Sequence, residues 1–170
     1  PIRSSAASDV YKRQEAARAM VVHYDYTVLA GTQGARNHYK QDRMFELALR
    51  FRMPIVLFGE GGGGRPGDDS TGPAVAFDTH TFTQFSKLSG AVPMVGVNHG
   101  RCFAGNTALL ACCDVIIATK DSTIAMGGPA MIEGGGLGIY TPEEVGPMCR
   151  FRYQTASWIF WWRTKLKRFG

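Results

Sequence analysis

Long apolar runs are missing from this 170-residue sequence: the longest, AVPMVGV and ALLACCDVIIA, are strand-sized or interrupted by Asp114. A membrane helix needs roughly 20 consecutive apolar residues, so no membrane partner is expected. The N-terminal PIRSSAASDV has neither the basic start nor the apolar stretch of a secretory signal, and a cytoplasmic setting is the expectation. Cysteine is sparse. The four, Cys102, Cys112, Cys113 and Cys149, form no CxxC pair and have no histidine at zinc-ligand spacing, so buried reduced thiols are expected and no metal site. Charge is unevenly placed rather than scarce. The net +5 arises at the ends, where residues 1 to 14 carry three basic groups against Asp9 and residues 149 to 170 carry six against none. That leaves ten of the 19 basic and thirteen of the 14 acidic groups in residues 15 to 148, a net of −3, and removes support for a nucleic-acid partner.

What is present suits one domain with a real core, since 45% of the residues are hydrophobic. RAMVVHYDYTVL, residues 18 to 29, is rich in β-branched and aromatic residues and predicts one or two strands. Residues 36 to 52 place Met44, Leu47, Ala48 and Phe51 at helical spacing, and Met53-Pro54 stops that helix. PIVLF, 54 to 58, predicts a buried strand, EGGGGRPGDDSTGP, 60 to 73, a loop, and THTFTQFSKLSG, 79 to 90, a short helix behind a threonine cap. A strand at 93 to 98, the turn HGRCFAG, a helix from about Gly105 to Cys112 and strands at 114 to 119 and 122 to 126 follow, before the glycine-dense GGPAMIEGGGLG at 127 to 138. This alternation predicts an α/β fold with a largely parallel sheet and right-handed crossovers.

Three glycine clusters follow predicted strands: Gly61 to Gly64, Gly100 to Gly105, and Gly127 to Gly138. Ligands of open α/β sheets lie at the carboxyl ends of strands, and a glycine-rich turn entering a helix offers N–H groups to an anion or a developing oxyanion. Ala104 and Gly105, at the start of a predicted helix, are the candidate donors. None of the clusters is a nucleotide motif, for GGGGRPG lacks GK[ST] and no GxGxxG stands between a strand and a helix. His99 with Cys102 raises a thiol hydrolase, and Asp68-Asp69 and Glu143-Glu144 raise an acid pair; turn residues and solvated surface account for them better. No GxSxG occurs, so main-chain catalysis is favoured over a side-chain triad.

The motifs YDYTVLAGTQG, NHYKQDRMFELAL, PIVLFGEGGGGRPGD, VPMVGVNHGRCFAGNTALLACCDVIIAT and MGGPAMIEGGGLG, in this order from about Tyr24 to Pro147, resemble the carboxyltransferase family of biotin-dependent acyl-CoA carboxylases. The resemblance implies a crotonase-like ββα superhelix, here the incomplete N-terminal half of a carboxyltransferase. It implies transfer of a carboxyl group from carboxybiotin, carried on a separate domain, to the α-carbon of an acyl-CoA. The enolate oxygen is held by main-chain N–H groups of a GPCAGGA turn, which corresponds to GRCFAGN and so to Ala104 and Gly105. Alanine replaces that turn's first glycine, so the turn must tolerate a Cβ. Gly62, Gly63, Gly64 and Arg65 are implied to shape the substrate cleft, and Gly127 and Gly128 to line its wall. A decarboxylase subunit of a sodium-pumping complex, or a hydratase or isomerase of the wider crotonase group, shares that turn; an inert truncated product is the non-enzymatic alternative.

The family also implies partners: biotin carboxylase and carrier components, since no AMKM-type biotinyl-lysine motif is present, and a homo-oligomer with active sites at dimer interfaces. The second crotonase-like half is not in these residues, so activity from this chain alone is not expected. Residues 1 to 14, with SSAASDVYKRQ, are expected to be a non-native leader, 15 to 148 the carboxyltransferase segment, and 149 to 170 a frameshifted tail. Read one base out of frame, Arg152 to Gly170 permits VSNGVVDILVEDEAEAVR, which resembles the family's continuation.

Overall fold

The computed structural model describes residues 18–65 and 80–147, and the backbone of 159–162. Strands β1 (Met20–Val22), β2 (Ile55–Phe58), β3 (Met94–Asn98), β5 (Val115–Thr119) and β7 (Ile159–Trp162) form a parallel sheet in the order β1-β2-β3-β5-β7. Two shorter strands, β4 (Arg101–Phe103) and β6 (Thr123–Ala125), pair in parallel in a second sheet. Helices α1 (Ala35–Phe51), α2 (His80–Ser86), α3 (Gly105–Ala111) and α4 (Pro129–Gly134) connect them. Twice the chain runs long strand, short strand, helix: β3, β4, α3 and then β5, β6, α4. An earlier turn of the spiral replaces the short strand with single bridges, Gly61 to Cys102 and Gln33 to Gly64.

Helix α1 buries Gln41, Phe45 and Ala48, positions four and three apart that fall on one face. It ends where Arg52 turns left-handed (φ 52°) and its N–H reaches back to Ala48 and Leu49, after which Pro54 prevents continuation. Phe45 and Ala48 share one core cluster with residues of β2 and β3: Ile55, Leu57 and Met94 are fully enclosed, together with Leu88 and Phe85, whose ring stands 4.7 Å from that of Phe45. Burial of each such side chain is worth about 1.5–3 kcal/mol, which makes this layer the main stabilising element. Among the described residues no helix is long and apolar enough to cross a membrane.

Two expectations are corrected, the extent of the second helix and the turn at HGRCFAG, and two open readings are filled in. The 18–29 stretch, expected to hold one or two strands, holds one, β1, because Asp25 Oδ1 accepts the N–H of Thr27 at 2.9 Å and folds the chain into a local turn ahead of a 3-10 turn at Leu29–Gly31. Helix α2 stops at Ser86, four residues before Gly90, and its expected threonine cap lies outside the described residues. HGRCFAG contains strand β4, because Gly61 N–H donates to Arg101 O and Phe103 N–H to Gly61 O, both at 2.8 Å. The last glycine-dense segment contains α4, opened by Pro129, whose fixed φ suits the first turn and whose missing N–H is no loss there.

Candidate functional site

At the end of β4 the chain must change direction into α3 within one residue. Ala104 makes the change at φ 48°, ψ −120°, a conformation that side-chain-bearing residues rarely adopt. The Cβ that the sequence required the turn to tolerate is therefore held in a strained backbone. The amide of Ala104 is committed to the fold, donating to Ala125 O at 3.1 Å. This revises the expected donor pair: an N–H locked onto β6 is not available to a ligand. Gly105 is the first residue of α3, a position whose N–H has no partner within its own helix. Among the described residues its amide has no acceptor.

The Gly61–Gly64 loop is brought directly against this turn. A Cβ on Gly63 would lie 2.5 Å from Cβ of Ala104 and 3.5 Å from the amide nitrogen of Gly105, and Gly63 itself has φ +86°. Glycine is required at Gly63 on both counts. Gly105 is equally enclosed, since a Cβ there would meet Gln33 Oε1 at 2.7 Å and Phe82 at 3.2 Å. Gly62 donates its N–H to Ala30 O, and Gly64 is exposed and bridges Gln33. Arg65 is folded back, with Nε on Thr32 Oγ1 at 3.2 Å and a terminal nitrogen on Thr32 O at 3.0 Å. Among the described residues a Cβ on Gly127 would meet nothing within 4 Å, and one on Gly128, which caps α4, would lie 3.9 Å from the ring of Phe103.

Sequence reasoning missed three polar residues that hold this arrangement. Asn106, fully buried, accepts the N–H of Gly63 on Oδ1 at 3.0 Å and so fastens the glycine loop to α3. Its Nδ2 has no partner among the described residues. Gln33 and Tyr24 are both buried and bonded, Nε2 to hydroxyl, at 2.8 Å. Two polar side chains amid apolar surroundings, Asn106 ahead of ALLACC and Gln33 between glycines, were the available signal.

The side-chain alternatives come apart. Cys102 is fully buried, and burial pushes its thiol up to about 12, so it is no nucleophile near neutral pH. His99 is exposed, and its main chain is used by Glu60 and Thr119. Glu143 pairs with Arg101 at 2.9 Å, while Glu144 accepts from Thr141, as separate surface acids do. Asp68 and Asp69 lie outside the described residues. A second titratable group stands nearby on α1: His38 Nδ1 lies 2.9 Å from Thr81 Oγ1, which donates to Asp42, and burial lowers the imidazole's pKa.

Residues 15–148 match the family described as the carboxyl transferase domain. The chain belongs to that family. Its similarity extends to a curated relative, the methylmalonyl-CoA carboxyltransferase 12S subunit of Propionibacterium freudenreichii subsp. shermanii, 32% identical over 125 residues, or 72% of this chain and 23% of the relative. A second is the biotin-dependent 3-methylcrotonyl-coenzyme A carboxylase beta1 subunit of Mycobacterium tuberculosis, 30% identical over 132 residues, 76% of this chain and 25% of the relative. The chain thus spans about a quarter of the length of these two relatives. Among solved structures, a single-chain, multi-domain long-chain acyl-CoA carboxylase shares 58% identity with a TM-score of 0.77, over 85% of this chain and 14% of that one. The spiral of paired strands and helices described above is therefore the crotonase-like ββα superhelix of the carboxyl transferase family, represented in part. In family terms, the turn that the sequence aligned with the oxyanion motif is the strained β4–α3 junction against which the glycine loop packs.

Proposed function

We propose that this chain is the acyl-CoA-facing portion of a biotin-dependent carboxyltransferase and that the β4–α3 turn stabilises the enolate of the thioester. The observation that carries the proposal is the strained turn at Ala104, which leaves the Gly105 N–H without an acceptor among the described residues, beside the loop of Gly63. Making the α-carbon of a thioester nucleophilic moves negative charge onto the thioester oxygen, and a fixed N–H needs no reorganisation to meet that charge. Gly105 takes this role. Ala104 supports it by holding the turn, since its own amide serves Ala125.

Carboxybiotin, delivered on a carrier, supplies the carboxyl group and, once that is released, a ureido nitrogen basic enough to accept the α-proton. The chain's own task is to bind the thioester and hold its oxygen while the α-carbon forms the new bond. Gly62, Gly63 and Gly64 shape the cleft through close backbone approach, and Gly127 and Gly128 border it. Arg65 is proposed to border the mouth of the cleft rather than reach inward, because two of its nitrogens serve Thr32. The partners that follow are biotin carboxylase and carrier components and a second crotonase-like half, in a homo-oligomer.

Isothermal titration of the chain with acetyl-CoA, propionyl-CoA and free CoA tests the proposal. Saturable binding of the thioesters supports it; heat that is no different from buffer dilution for all three favours an inert fragment. Running the transfer in both directions with the complete enzyme separates a carboxylase from a decarboxylase.

A further inference from the structure

Gln33 belongs to none of the glycine clusters, yet it contacts two elements of the site at once. Its main chain is paired with the glycine loop, its N–H donating to Gly63 O at 2.6 Å and its carbonyl accepting from Arg65 N–H at 2.8 Å. Its side chain leaves in another direction. Oε1 stands 2.7 Å from where a Cβ of Gly105 would be, and Nε2 donates to the hydroxyl of Tyr24 at 2.8 Å. That hydroxyl also accepts from Gln41 Nε2 at 2.6 Å, and Gln41 lies in the middle of α1. Gln33, Tyr24 and Gln41 are 4%, 8% and 3% exposed. The chain of contacts therefore runs without solvent from α1 to the Gly105 turn. Such enclosed polar chains hold one geometry, because any displacement leaves a buried donor or acceptor without a partner.

We propose that Gln33, braced through Tyr24 by Gln41, is a positioning residue that sets the spacing between the Gly61–Gly64 loop and the Gly105 N–H. The inference rests on the role given to Gly105 above. Gln33 touches no reacting atom; it acts through the two backbone segments that do. Burial holds the Tyr24 phenol protonated well beyond neutral pH, so the brace is uncharged under working conditions.

Amide hydrogen exchange on the 170-residue chain tests the coupling independently of activity. Gln33→Met keeps the length of the side chain and removes its amide. It is expected to speed exchange at Gly63 and Arg65 and at Ala104 together, by tenfold or more, while amides of β3 and β5 stay within twofold. Tyr24→Phe, the milder variant, is expected to move the same positions by a smaller factor. Change at one segment without the other, or an equal rise throughout β3 and β5, overturns the proposal. In the complete enzyme Gln33→Met is expected to lower kcat at least tenfold with KM for acyl-CoA within threefold; a raised KM at unchanged kcat overturns it. Acetyl-CoA added to the unmodified chain is expected to shift the Gly105 amide resonance. Absence of that shift would count against the role of Gly105 and leave the exchange result to decide the coupling.

Discussion

Replacing Gly63 by alanine perturbs the contact on which the site depends. The new Cβ would stand 2.5 Å from Cβ of Ala104, closer than non-bonded carbons can settle, at a φ of +86°. The left-handed backbone costs roughly 1–2 kcal/mol for a residue with a side chain, and overpacking typically adds about 1–3 kcal/mol. A loss of about 2–5 kcal/mol is expected, which for a chain of this size lowers Tm by roughly 5–15 °C. Ala104→Gly alone should stabilise by about 1 kcal/mol, since φ 48° is a glycine conformation. The double variant removes the Cβ pair and keeps only the φ penalty. Urea unfolding of the four chains completes a double-mutant cycle, with an expected coupling of about 1–3 kcal/mol for residues in such contact. Additive behaviour within about 0.5 kcal/mol, or a Gly63→Ala chain as stable as the parent, would refute the packing of loop on turn.

Three further outcomes are expected of the same fold. With the Cys102 thiol pushed up to about 12 by burial, a thiol reagent at pH 8 should modify Cys102 only as fast as the chain unfolds, so labelling followed by peptide mass mapping should leave it until denaturant is added. Cys102, Cys113 and Tyr24 all have raised values in the fold, each mainly through burial, so the unfolded chain loses these protons first; stability is fully present below about pH 9 and falls as pH rises toward 12, which urea midpoints at pH 8, 9 and 10 would register. Phe45→Ala empties the contact with Phe85 in a fully enclosed layer and should cost about 3–5 kcal/mol, whereas Arg101→Ala, which breaks an exposed pair with Glu143, should cost under about 1 kcal/mol in the same assay.

The long elements were legible because their signals are periodic. The helical spacing over residues 36 to 52 located α1 but not its buried face, which is Gln41, Phe45 and Ala48 rather than the expected Met44, Leu47, Ala48 and Phe51, the last being exposed; the short apolar runs marked β2, β3 and β5. The short ones were not. β4 is three residues long and exists because it pairs with β6 while the glycine loop bonds to both of its ends, pairings across about 20 and about 40 residues that no local pattern encodes. Of the one or two strands read over residues 18 to 29, Asp25 limits the chain to one through a two-residue hydrogen bond that competes with sheet pairing. At the site, the motif located the turn but not the fate of each amide. Ala104 and Gly105 look equivalent in sequence; only the approach of β6 shows that Ala125 takes the Ala104 N–H. Gln33 was invisible for a similar reason, because its bond partner Tyr24 is nine residues away on the far side of a turn.

The central claim is that the Gly105 N–H stabilises the charge developing on the thioester oxygen. Its most direct test compares Gly105→Pro with Gly105→Ala in the complete enzyme: proline suits the first position of a helix but has no N–H, and alanine adds a similar Cβ while keeping it. The account predicts that both variants bind acyl-CoA comparably while the proline form turns over about 10²–10³-fold more slowly than the alanine form, the loss typical of one oxyanion donor. Equal turnover of the two variants would contradict it.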